Sequence, residues 1–425
     1  MSLSRFLFVV GCLSALLLHG CGKSGSDNAN VRALNLISGT SGISVTAGGV
    51  TILSNGTFES LSGFSSVGSG NQEFKVNIPG GVAPIIDTVY TLSGTVDYSY
   101  ITTGTAGAAA AVLIADPFGS PGSNVAFRVL NMSLVVPSID VYLTAPGTDL
   151  ASATPVVAAA AYSSVTPFVN ATPGSLELRM TTAGTKDVIY DAPVTLPAGT
   201  GQTAVVYGRG SSKLVNAEIL ASGTTGAIAN NQLAQFKVAN GTAVPAPLNI
   251  LVDGTLAISN LAFASVAPYQ TLASGARQIT IESSAAPGAA LLTIAPDFVP
   301  ATDTSIALSG ASGTLSALVL ADSNPAVAVG RAQLRIVNLS PDFAAVDVYA
   351  NFARLVSGLA ANTASAYVLV DAVEAGTAYQ MDFNNAGTTN VVLSVPGLFL
   401  GSNHVYTVYL LGSGPTLAGV LTQDR

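Results

Sequence analysis

Short apolar runs, separated by turns that contain Gly, Asn or Pro, follow one another along nearly the whole chain. Ile139-Asp140-Val141-Tyr142 alternates apolar and polar positions, as a half-buried strand does when successive side chains point to opposite faces. Turns such as Ala183-Gly184-Thr185 and Ala386-Gly387-Thr388 punctuate the runs. No stretch keeps the 3.6-residue apolar period of an amphipathic helix. Strands at this spacing predict an all-β chain of sandwiches or barrels.

Compared with itself, the chain shows a repeat of about a hundred residues, used four times. Phe127-Arg128-Val129-Leu130-Asn131, followed by Ile139-Asp140-Val141-Tyr142, matches Leu334-Arg335-Ile336-Val337-Asn338, followed by Val346-Asp347-Val348-Tyr349. Weaker copies read Val31-Arg32-Ala33-Leu34-Asn35 and Phe236-Lys237-Val238-Ala239-Asn240. A basic residue with Asn three positions on occurs in all four. The position twelve residues after the basic one holds Ser44, Asp140, Asn249 and Asp347. Each copy closes with two apolar strands around a Gly-containing turn. A unit of this length with about seven short strands fits an immunoglobulin-like antiparallel β-sandwich, though its Cys–Trp–Cys hallmark is absent because the chain has no Trp.

The expected organisation is a signal peptide over residues 1–20, a flexible tether over 21–30, and sandwiches over 31–122, 123–231, 232–329 and 330–425. Each unit is expected to bury its apolar strands within itself. Arg128 is expected to pair with Asp140 and Arg335 with Asp347, across a hairpin-like connection. The repeated Asn is expected to cap a turn, a common use of its side chain.

At the N-terminus, Arg5 precedes the apolar run Leu7 to Leu18, the layout of a secretory signal. The run is shorter than the ~20 residues a membrane-spanning helix needs. Leu18-His19-Gly20-Cys21 resembles the lipobox of bacterial lipoproteins, in which the Cys is diacylated and becomes the new N-terminus. Cys21 is therefore the expected lipidation site, with palmitate or a similar acyl group. The alternative is a plain secretory signal that leaves a free thiol. Gly22 after the Cys favours the outer membrane in a cell with two. Cys12 leaves with the signal, so the folded region holds no Cys and no disulfide.

Composition narrows the function. The chain is 49% hydrophobic and 9% charged, which argues against disorder. Its net charge is −8, and no Lys/Arg cluster offers the basic footprint that a nucleic-acid partner requires. After the signal the one His is His404, so a Ser–His–acid site would have to use it; a strand-edge His is the plainer reading. No Gly-x-x-x-x-Gly-Lys-Ser/Thr phosphate loop occurs. Asp342 in Ser340-Pro341-Asp342 is a lone carboxylate in a turn, too few for a calcium site. Five Asn-x-Ser/Thr triplets, at Asn55, Asn131, Asn170, Asn240 and Asn338, read as chance in a Ser/Thr-rich chain. Tyr90, Tyr98, Tyr207, Tyr349 and Tyr409 carry rings suited to sugar stacking, but no platform can be located from the sequence. No catalytic residue, metal or cofactor is expected.

The segment from Arg335 to Tyr349, with Asn338, Ser340-Pro341-Asp342 and Val346-Asp347-Val348-Tyr349, resembles the opening of the bacterial domain-of-unknown-function family 4397. The resemblance is good in the fourth copy, fair in the second and weak in the first and third. It implies an exported or lipid-anchored protein of tandem β-sandwiches and supplies no catalytic residue. The leading functional expectation is a non-enzymatic envelope lipoprotein serving as a structural, adhesion or scaffold array, held to the membrane by its lipid. A module binding carbohydrate or a surface polymer is the alternative, and an envelope hydrolase the third.

Overall fold

The structure, a computed structural model, describes residues 28–116, 121–376 and 378–425. In the first unit β1 (Ala29–Ser38), β2 (Ile43–Ala47), β3 (Val50–Gly56), β4 (Ser65–Val67), β5 (Gly70–Asn77), β6 (Ile86–Leu92), β7 (Asp97–Thr105) and β8 (Ala108–Ala115) form two sheets. Their orders are β4-β1-β7-β8 and β3-β2-β5-β6. Neighbours run antiparallel except β1 and β7, which are parallel from Asn30↔Asp97 to Ser38↔Thr105. The same parallel pair recurs between Val125–Asn131 and Gly201–Tyr207, Leu233–Asn240 and Asp303–Ser309, and Arg331–Asn338 and Val405–Leu411. Four sandwiches follow in series, each with eight principal strands where the sequence suggests about seven. Among the described residues there is no α-helix, only the single 3₁₀ turns Leu150–Ser152 and Gly414–Thr416.

Every sandwich has its own apolar interior, such as Val31, Val45, Phe74 and Tyr100 in the first and Ile336, Val348, Phe383 and Val408 in the fourth. The expectation that all apolar strands are buried within their own unit holds for one face of the β1–β7 sheet only. Its outer face is covered by the neighbouring sandwich. Leu34, Leu36 and Ile101 meet Leu130, Met132, Val205 and Tyr207 between sandwiches 1 and 2. Ala239 and Ala307 meet Val337, Leu339, Tyr409 and Leu411 between sandwiches 3 and 4. The units thus associate in two pairs, sheet against sheet. Strands buried on both faces read as continuous apolar runs, which is why Val405–Leu411 is buried at every position.

The repeated polar positions have structural causes. Asn35, Asn131, Asn240 and Asn338 each accept the N–H two residues on, at 2.9–3.1 Å. Each also donates its amide to a carbonyl on or beside the strand equivalent to β3, at Gly56, Ala160, Leu261 and Leu359. The Asn therefore caps the turn, as expected, and ties the two sheets together where the chain crosses between them. All four are buried.

The position twelve residues after the basic one is a bulge acceptor. Ser44, Asp140, Asn249 and Asp347 receive the N–H of Asn55, Ala159, Asn260 and Gly358 at 2.7–3.0 Å. Those donors have φ of 47°, 49°, 54° and 62°, and the ladder shifts register at each acceptor. A bulge leaves an N–H without a ladder partner, so the fold requires an oxygen there and not an acid. The expected ion pairs Arg128–Asp140 and Arg335–Asp347 do not form. The second oxygens of Asp140 and Asp347 take the N–H of Gly184 and Gly387. The chain between Arg and Asp crosses to the other sheet instead of turning back as a hairpin, so the two residues lie on different sheets.

The turn after β7 imposes its glycine. Gly104, Gly310 and Gly412 have φ of 97°, 94° and 77°, and a Cβ there would lie 2.2, 2.4 and 2.5 Å from the carbonyl oxygens of Ala108, Thr314 and Thr416.

Candidate functional site

Alternation along the first strand decides where the basic residue points. Val31 and Ala33 face the sandwich interior, so Arg32 shares the outer face with Leu34 and Leu36, which meet the next sandwich. The same holds for Arg128, Lys237 and Arg335. All four are buried, at 1%, 7%, 2% and 2% exposure. A buried cation needs an opposite charge and hydrogen bonds to offset its lost hydration; hydroxyl and ring come from the same places in every copy, and the carboxylate from the first, third and fourth copies.

The strand equivalent to β7 places a hydroxyl beside each cation in the parallel register: Ser99, Thr203, Ser305 and Thr407. Arg32 Nε donates to Ser99 at 2.8 Å and Arg128 Nε to Thr203 at 2.9 Å. An aromatic ring covers each charge, Phe64, Phe168, Tyr269 and Tyr367, at 4.4–4.9 Å from the ring centre. Three of the four rings fall thirty-two residues after their cation. The carboxylate comes from the end of the strand equivalent to β8 or just beyond it.

The two pairs differ in how charge is balanced. Between sandwiches 1 and 2, Asp116 alone serves both guanidiniums, accepting from Arg32 at 3.2 Å and from Arg128 at 2.7 Å. The pKa of each arginine is lowered, because burial outweighs a shared counter-charge. Between sandwiches 3 and 4 there are two carboxylates. Asp322 accepts from Arg335 at 2.6 Å, and Asp424 accepts from Lys237 and, at 2.5 Å, from Thr407. Burial works to lower Arg335, but adjacent Asp322 raises it above its ordinary value. Burial raises Asp424. Two of the three arginine pairs link sandwiches: Arg128 belongs to the second and Asp116 to the first, Arg335 to the fourth and Asp322 to the third.

Next to the first cluster lies Glu218, buried with Oε2 lacking a protein partner. Burial pushes its carboxyl up to about 7, with Glu59 adding to the rise and Arg32 opposing it. Arg209 and Glu59 form a further bidentate pair across this interface, at 2.5 and 2.6 Å. The two pairs are joined through Asp303. It accepts Ser211 Oγ at 2.6 Å, Ser212 N at 2.7 Å and Asn324 Nδ2 at 2.7 Å.

Each pair also opens into a cleft where the parallel strands end. One cleft, of about 360 Å³, is lined by Leu36, Phe58, Met132 and Tyr207 and bordered by Ser323, Pro325 and Ala326 from the connection between sandwiches 3 and 4. The equivalent cleft in the second pair, of about 530 Å³, is lined by Gly241, Phe263, Gly310, Pro341 and Gly412. Phe58 and Phe263 each follow the repeat Asn by twenty-three residues.

Of the residues singled out in the sequence, Cys21 lies outside the described residues. His404 precedes the strand Val405–Leu411, with Nδ1 2.8 Å from the Arg425 carbonyl oxygen. Asp342 accepts the Gly414 N–H at 2.6 Å. Among the described residues no three His, Cys, Asp or Glu side chains cluster in a way that holds a metal ion. Tyr409 is an interface residue, Tyr207 is an interface residue that also lines the first cleft, and Tyr98 and Tyr90 lie against the first interior. Phe64, Tyr269 and Tyr367 share one offset from their cation, a signal legible in the sequence, whereas Phe168 lies farther from Arg128.

A family model described as Domain of unknown function (DUF4397) matches residues 29–142, 234–349 and 332–425. No curated protein matches the chain. A solved structure titled "The Bacillus anthracis TIE protein" is similar at 10% identity over 90% of this chain and 67% of that one. The TM-score is 0.15.

Proposed function

From the premise that the chain belongs to the DUF4397 family, over three matched segments spanning most of its length, we propose a non-enzymatic scaffold or spacer of the bacterial cell envelope. It is anchored by lipid on Cys21 and directed to the outer membrane. The observation that carries this reading is the way the sandwiches are joined. Sheets are locked face to face by buried ion clusters, and the two pairs are stitched through Asp303. Domains on free linkers move relative to one another by default; buried, ion-paired interfaces hold a fixed spacing, which a spacer requires.

The test has two parts. Cys21→Ala is expected to move the protein from the membrane to the soluble fraction, and persistent membrane partitioning refutes the anchor. Distances between spin labels on the first and fourth sandwiches are expected to fall in one narrow distribution, broadened by Asp303→Ala. A broad distribution in the parent chain refutes the spacer.

The two equivalent clefts favour a second reading, the binding of a surface polymer such as a glycan. A glycan array probed with the mature protein tests it, and a blank array counts against it.

A further inference from the structure

Three of the four interface cations are Arg and one is Lys237. Arg is the usual choice for a buried pair, since its fork is preorganised and its charge permanent, whereas the Lys amine is a group that serves as a nucleophile in covalent chemistry. Lys237 Nζ is in direct contact with Asp424 Oδ1, and the two side chains are 2% and 0% exposed. Thr407 Oγ1 donates to the other carboxyl oxygen at 2.5 Å. The Tyr269 ring covers the amine at 4.9 Å, and its hydroxyl donates to Asp322 at 2.5 Å. Asp322 thus places a second carboxylate within the same cluster. Water is excluded, the reactants are held together, and a hydroxyl already sits on the carboxyl group. Such preorganisation replaces an entropic barrier with a prepared geometry.

We propose that Lys237 and Asp424 join in an intramolecular isopeptide bond that covalently links the third sandwich to the fourth. The Nζ–Cγ bond forms, one C–O bond of the carboxyl breaks, and that oxygen leaves as water with two protons from the ammonium. No oxidant, reductant or cofactor takes part. Burial raises the Asp424 pKa and so favours the protonated carboxyl, the form an amine attacks. The first pair is chemically barred from the same reaction, because Arg32 and Arg128 stand at the equivalent positions.

The test is peptide mapping of the full chain, purified and then digested under denaturing conditions. The expected product is one branched peptide joining the Lys237 segment to the C-terminal segment, lighter than their sum by one water. Lys237→Arg introduces the residue found in the other copies. It is expected to fold, by circular dichroism, and to yield two separate peptides. Asp322→Asn keeps both reacting groups and is expected to slow cross-link formation in freshly made protein. Full-mass, unbranched peptides from the parent chain overturn the proposal. So does loss of water that persists in Lys237→Arg, which would place the dehydration elsewhere.

Discussion

Asp116→Asn probes the assignment of the repeated basic residue most directly. Asp116 is 5% exposed and accepts from Arg32, Arg128 and Ser99 at 3.2, 2.7 and 2.9 Å. Hydrogen bonds to charged groups contribute about 1.5–3 kcal/mol each. Asparagine keeps one carbonyl oxygen but turns an NH₂ toward a guanidinium and removes the sole carboxylate bonded to both cations. Half of the two guanidinium bonds is roughly 1.5–3 kcal/mol, and the unpaired buried charge raises the expected loss to about 3–5 kcal/mol. The contrasting variant is Asp140→Asn, at the acid the sequence would pair with Arg128. Asparagine retains the bulge acceptor for Ala159 N–H and loses the one for Gly184 N–H, so its cost should be about 1.5–3 kcal/mol, below that of Asp116→Asn. Urea unfolding followed by circular dichroism gives the loss, since the chain has no Trp to report by fluorescence. Four sandwiches need not unfold in one step, so hydrogen exchange of residues 108–115 and 216–221 locates the change at the first interface. An Asp116→Asn loss below about 1 kcal/mol, or a larger loss from Asp140→Asn, refutes the reasoning. Replacing the whole cluster, as Arg32→Met with Asp116→Leu and Arg128→Met, should cost less than Asp116→Asn alone, because no buried charge is left behind.

Glu218 makes the first interface sensitive to pH. Its folded pKa, raised to about 7 from 4.5 by burial, adds stability that is fully present below pH 4.5 and is lost as pH rises through 7. Glu218→Gln should therefore exceed the parent in stability at pH 8 by on the order of 2 kcal/mol, with the gap narrowing toward pH 5; equal urea midpoints at pH 8 would contradict this. Gly310→Ala forces a left-handed φ of 94° and a Cβ 2.4 Å from the Thr314 oxygen, so a loss of about 1–3 kcal/mol is expected by thermal unfolding, whereas Gly254→Ala meets no atom within 4 Å and should cost less. Asn338→Ala strands the Ser340 N–H and the Leu359 carbonyl, for an expected loss of about 2 kcal/mol and faster hydrogen exchange at residues 338–340.

The sequence by itself determined the repeat, the all-β class and the strand faces. The spacing of turns sets the strands, and the Asn three residues after the cation caps the same crossing in every copy, a local interaction that a local pattern can encode. The four residues at the bulge are visible as a position, and the two acids among them, Asp140 and Asp347, read from sequence as partners of Arg128 and Arg335. Only the tertiary structure showed that Ser44 and Asn249 perform the same task as Asp140 and Asp347, by accepting one stray N–H. Only the tertiary structure decided where the cations go, since Arg32 and Asp116 are 84 positions apart and Lys237 and Asp424 are 187 apart. The underlying reason is that alternation fixes which side of a sheet a residue occupies but not what covers that side. Leu34, Val337 and Tyr409 read equally well as solvent-facing or interfacial, and the pairing of sandwiches, a long-range choice, turned that outer face into a second interior.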